Sequence, residues 1–107
     1  MPTIRDDVFA DLRAERDRQV NKEGWDDKHD DEHDGGEMAV AGALYAICDA
    51  DVDPEAFSSL LQALWPWDHT WWKPKDVERN LVRAGALIAA ELERVRRAKS
   101  TTEEETP

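Results

Sequence analysis

Cysteine occurs once in this 107-residue chain, at position 48. A lone thiol makes no intrachain disulfide, so Cys48 is expected to be a reduced core residue of a cytoplasmic protein. Long apolar runs are missing as well. Nothing approaches the roughly 20 residues that cross a bilayer, and the opening Met1-Pro2-Thr3-Ile4-Arg5-Asp6-Asp7 holds no apolar leader-like stretch. Basic residues are scarce: 14 Lys and Arg stand against 25 Asp and Glu, for a formal charge of −11. That balance excludes a protein built to neutralise DNA or RNA backbones, and it disfavours an anionic membrane surface. Also absent are a Ser-His-Asp or Cys-His arrangement, a glycine-rich phosphate loop and Cys/His zinc spacing, so nucleophilic catalysis has no support. No alternating strand pattern, internal repeat or long linker is visible.

Tryptophan is what the chain does have. Four of its five lie in Trp65-Pro66-Trp67-Asp68-His69-Thr70-Trp71-Trp72-Lys73-Pro74. Indole is costly to expose and needs a partner for its N–H when buried. Such a loop either fills a core or walls a pocket. As a pocket wall, adjacent indoles stack planar rings, and Lys73 and Lys75 are placed to meet a phosphate. The fifth, Trp25, opens a run to Glu37 with seven carboxylates and two histidines.

The remaining signals are helical. A first helix is expected up to about Lys22, with Ile4, Val8, Leu12 and Val20 near helical spacing. Continuing that stripe brings Glu15, Arg16 and Gln19 onto or beside the buried face. Gly24 suits a C-cap, and the acidic run is expected as a loop. A second helix spans about Glu37 to Cys48, and its small residues permit close helix approach. Asp53-Pro54 pairs an N-cap with a proline at the first helical position and opens a third helix. Asp76 is expected to cap a fourth, from about Val77 to Ala98, with an apolar stripe of Leu81, Ala84, Ile88, Leu92 and Val95. The reading is an all-α bundle of about four helices in one domain, residues 1–99, with a disordered acidic tail, 100–107.

Three constellations could carry chemistry. His29 and His33 stand at i, i+4 among Asp30, Asp31, Glu32 and Glu37; imidazole with carboxylate suits Mn, Fe, Ni or Zn, and carboxylates alone suit Mg or Ca. The Trp loop is the second. The third is Glu91 beside the last apolar stripe, with Asn80 on the same side, where Glu91 could pair with Arg16 or an indole N–H.

The motif order Glu15-Arg16-x-Arg18-Gln19, Glu23-Gly24-Trp25, His29-Asp30-Asp31, Gly36-Glu37-Met38-Ala39, Trp65-Pro66-Trp67, Trp71-Trp72-Lys73-Pro74 and Leu81-Val82-Arg83-Ala84-Gly85-Ala86-Leu87-Ile88 resembles a family of small tailed-phage and prophage proteins over residues 12 to 97. The resemblance implies a phage accessory product in the cytoplasm of an infected or lysogenic bacterial host, and no particular activity. Glu15 to Trp25 also resembles the start of ryanodine-receptor-type repeat domains, helical modules linked to nucleotide-like ligands. The helix pair Glu37 to Ala46 and Leu81 to Glu91 looks like the core of MazG-type all-α nucleoside triphosphate pyrophosphohydrolases. This chain departs from their E-x-x-E and E-x-x-D helices: Val40 stands three residues after Glu37, and Arg94 three after Glu91.

The expected function is binding of a small nucleotide-like ligand, with sequestration of a host defence signal as its use. Arg16, Gln19, Trp25, His29, Asp30, Asp31, Trp71, Trp72 and Lys73 are the expected ligand-binding residues. Removing Asp30 or Asp31 is expected to spare the fold. The alternatives are a Mg- or Mn-dependent MazG-like hydrolase with Asp30, Asp31, Glu32 and Glu37 as metal ligands, and a protein–protein adaptor. A homo-oligomer fits any of the three.

Overall fold

The computed structural model describes residues 1–105, with side chains as far as position 100. It is all-α: α1 (Ile4–Asn21), α2 (Asp27–Asp31), α3 (Glu37–Ile47), α4 (Pro54–Leu64), a short 3₁₀ turn (His69–Trp71) and α5 (Val77–Glu105), with no strand among the described residues. The expected acidic tail lies outside those residues beyond Glu105, and α5 carries the helical backbone through its first part.

Local chemistry sets the boundaries. Thr3 and Asp6 form a reciprocal capping box that starts α1, Thr3 Oγ1 accepting from the Asp6 amide while Asp6 accepts from that of Thr3. After α1, Gly24 at φ 75° turns the chain through a left-handed conformation that other residues resist. The Trp25 amide then donates back to the Gln19 carbonyl at 2.9 Å, which pins Trp25 beside the end of α1. Asp53 accepts from the Ala56 amide with Pro54 in the first turn of α4, and Asp76 accepts from Arg79 at the start of α5.

The acidic run is not a loop throughout. Asp26 accepts from the His29 amide at 2.9 Å and starts the short α2, so one helical turn forms within the run expected as a loop. The cap and the early carboxylates at its positive end supply the reason.

The core is a seam between α3 and α5: Met38, Ala41, Leu44 and Tyr45 face Ala84, Leu87 and Ala90, with Trp65 closing one end. α1 packs on α5 beside them, and α2 sits on α5 further along. Two expected apolar faces differ from the structure. Leu81, Ile88 and Leu92 of α5 are about half exposed, because α3 covers the neighbouring Ala84–Leu87 face instead. Ile4 and Val8 are exposed too, since α1 engages the body only from Leu12 onward.

Polar residues take part in the packing. Glu15, Arg16 and Gln19 of α1 are all buried, as their register relative to Leu12 predicts. Asn80 is buried as well. Its amide joins Asp49 at 2.8 Å, the Lys75 carbonyl at 3.1 Å and the Lys75 N–H at 2.7 Å, tying both ends of the 48–75 segment to α5.

Candidate functional site

A train of rings joins the two unusual loops. Trp25 stacks on His29 with centroids 5.7 Å apart and planes 4° from parallel. His29 meets His33 edge-on at 4.8 Å, and His33 meets Trp67 at 5.8 Å. Trp67 then abuts Trp65, which contacts Trp72 at 5.1 Å, and Trp72 lies 4.5 Å from Tyr45. The i, i+4 spacing of the histidines therefore serves aromatic packing: each imidazole is held against an indole. Trp25 reaches the tryptophan loop through the histidines and Trp67.

Behind this train opens a cavity of about 470 Å³, inside the ~300–1,000 Å³ span of small-molecule sites. Glu15, Arg18 and Gln19 line it from α1, and Met38 and Tyr45 from α3. Trp25, His29 and His33 form one wall, Trp65, Trp67 and Trp71 another, and Lys73, Lys75 and Arg83 edge it.

The tryptophans divide by role. Trp65 is buried and donates its indole N–H to the Asp68 carbonyl at 3.0 Å. Trp72 packs among Tyr45, Phe57 and Trp65, which makes it core rather than wall. Trp67 is half-buried and serves both, while Trp71, 59% exposed, stands at the mouth.

Charge is distributed unevenly around this space. Glu15 is enclosed, and burial alone would raise its pKa. Hydrogen bonds and charge from Arg18, then from Arg79, outweigh burial and hold it below the ordinary glutamate value. Arg18 also pairs with Glu23 at 2.7 Å, so it answers both acids on its side of the cavity. Asp68 is turned to its own loop, accepting from the Thr70 amide and hydroxyl. Lys73, Lys75 and Arg83 have no carboxylate partner among the described residues. Arg83 lies over the Tyr45 ring and donates to the Lys73 carbonyl at 2.8 Å, fixing that edge.

Of the expected binding residues, Gln19, Trp25, His29, Trp71 and Lys73 meet at the cavity. Arg16, Asp30, Asp31 and Trp72 do not line it. Arg16 and Asp30 form a buried ion pair at 2.7 Å, and Arg16 continues to Glu93 at 2.8 Å. Asp31 pairs with Arg97 on the outer face. The metal expectation finds no geometry to rest on. Asp30 is held by Arg16, Asp31 by Arg97 and Glu37 by His33, and no group of three or more His, Cys, Asp or Glu among the described residues is placed to hold an ion. Glu91 pairs with Arg94, so Arg16 takes Glu93 instead.

Sequence reasoning passed over several lining residues. Met38 and Tyr45 lie seven apart on the buried face of α3, and Arg83 and Leu87 four apart on α5. Those spacings were available signals. His33 was tied to the metal reading. No protein-family model, curated protein or solved structure matches this chain significantly.

Proposed function

We propose that the protein is a binding module for a planar, negatively charged small molecule of the nucleotide type, held in the cavity between the Trp25–His33 wall and the tryptophan loop. The observation that carries the reading is the pairing of aromatic walls with three cations, Lys73, Lys75 and Arg83, that no carboxylate among the described residues answers. Aromatic faces stack a base at ~1–3 kcal/mol each, and the unanswered cations suit a phosphate. Holding a ligand without converting it fits sequestration of a signalling nucleotide, the use implied by the resemblance to phage proteins.

The test is a titration with AMP, ATP and a cyclic dinucleotide, followed by tryptophan emission and calorimetry. Saturable quenching, weakened by Lys73→Ala and by Lys75→Ala, is expected. Flat traces across all three probes would overturn the reading.

A second reading, self-association, is favoured by a different face. Leu81, Ile88, Leu92 and Val95 stay partly exposed along one side of α5 at a spacing close to a seven-residue repeat. Sedimentation should then show a mass that falls on dilution and in Ile88→Glu. A monomer at every concentration removes this reading.

A further inference from the structure

Gln19 lines the cavity with no exposed surface, yet half of its amide is unpartnered. Its Nε2 donates to Glu15 Oε2 at 3.3 Å. Its Oε1 meets no donor among the described residues. The amide cannot simply turn round. Glu15 accepts from Arg18 Nε at 2.7 Å and Nη2 at 2.9 Å, and also from Arg79, so it is held ionised and has no proton to give. Turning the amide would set oxygen against oxygen. The arginines fix the carboxylate, the carboxylate fixes the amide, and a buried acceptor is left unmet on a residue that lines the cavity.

We propose that Gln19 Oε1 selects the ligand: the cavity takes a planar heterocycle whose edge bears an N–H donor, such as an amino-substituted base, over the same ring without it. The inference rests on the cavity being a site for planar anions. Stacking on indole is nearly blind to ring substituents, so the walls supply affinity and Gln19 supplies choice. A ring C–H in the donor's place leaves the acceptor unmet, and sites built around a polar partner reject such analogues more sharply than shape alone.

AMP and purine riboside 5′-monophosphate form the discriminating pair, since they share ring system, ribose and phosphate and differ by one exocyclic amine. Calorimetry on the full chain should give AMP an advantage of about tenfold or more. In Gln19→Met, of similar volume, the ratio should fall to about two or less. Glu15→Gln, which lets the amide turn, should lower it as well and serves if Gln19→Met fails to fold. Equal binding of both probes to the wild type overturns this inference while the pocket reading stands, as does a ratio that survives Gln19→Met. Binding of neither probe overturns this inference, and the pocket reading falls with it only where ATP and the cyclic dinucleotide also give flat traces.

Discussion

Replacing Asp30 by alanine should destabilise the fold and leave the cavity's chemistry alone. The Asp30 side chain has no exposed surface, and its Oδ2 lies 2.7 Å from Arg16 Nη2. Its Oδ1 is 3.1 Å from His29 Nδ1. Removing one member of a buried ion pair costs ~3–5 kcal/mol, because the remaining charge is left without its partner. Arg16 keeps Glu93 at 2.8 Å, so the lower end applies, about 3 kcal/mol. For a chain of this length that corresponds to a fall in Tm of roughly 10–15 °C.

Asp31→Ala is the control. Asp31 is half exposed, and its partner Arg97 also contacts Asp27 at 3.3 Å. An exposed, shared pair is worth less than about 1 kcal/mol. Thermal melts followed by circular dichroism measure both. Ligand titrations below each Tm should show unchanged affinity, since neither residue lines the cavity. For Asp30 this reverses the sequence expectation that the change spares the fold. An Asp30→Ala protein melting within about 2 °C of Asp31→Ala would refute the reasoning.

Trp65→Ala should cost ~3–5 kcal/mol in urea unfolding, since it deletes a buried indole that closes the core. Trp71→Ala should change stability by less than about 1 kcal/mol and weaken nucleotide binding about fivefold or more, because Trp71 is a mouth residue. Glu15, whose pKa is depressed when folded, stabilises the protein above the ordinary glutamate range, and that stability is lost as pH falls below it. Tm measured from pH 7 down to about 3 should therefore fall less steeply in Glu15→Gln than in the wild type. At Gly42 a Cβ would stand 3.1 Å from both the Ala84 carbonyl and Ile88 Cγ1, so Gly42→Ala forces α3 away from α5. The strain should exceed the roughly 1 kcal/mol gained in helix propensity, and guanidinium unfolding should show a net loss of about 1 kcal/mol.

Four of the helices were legible because their punctuation is local. Asp53-Pro54, Asp76 and Gly24 each act within three residues of their own backbone, and each does so in the structure. The burial of Glu15, Arg16 and Gln19 was legible from the register of α1 alone. The side of α5 that would be covered was not, because helical period gives a stripe's width and spacing but not its partner. Ala84, Ala86 and Ala90 are buried while larger residues stay partly exposed. Small side chains let α3 and α1 approach closely, and that choice is made between helices. The acidic run misled for a related reason. Its composition suggested ligands, whereas Asp30 and Asp31 are each held by a cation distant in sequence: Arg16 for Asp30, 14 residues away, and Arg97 for Asp31, 66 residues away.

The same long-range pairing explains how a chain of charge −11 can build a cavity suited to an anion. Net charge sets the far field, but a screened pocket answers to the charges within about 10 Å of it. On the α1 side, Arg18 and Arg79 neutralise Glu15, and Arg18 also takes Glu23. Along the outer face of α2, Arg97 holds Asp27 and Asp31 away from the opening. Glu15 and Glu23 at the site are thus committed to arginines and Asp68 to Thr70, whereas Lys73, Lys75 and Arg83 pair with no carboxylate among the described residues. Binding at this edge should weaken with added salt, as expected for a phosphate meeting exposed lysines. An affinity that rises with salt would place the ligand's charge elsewhere and leave only the aromatic walls to account for it.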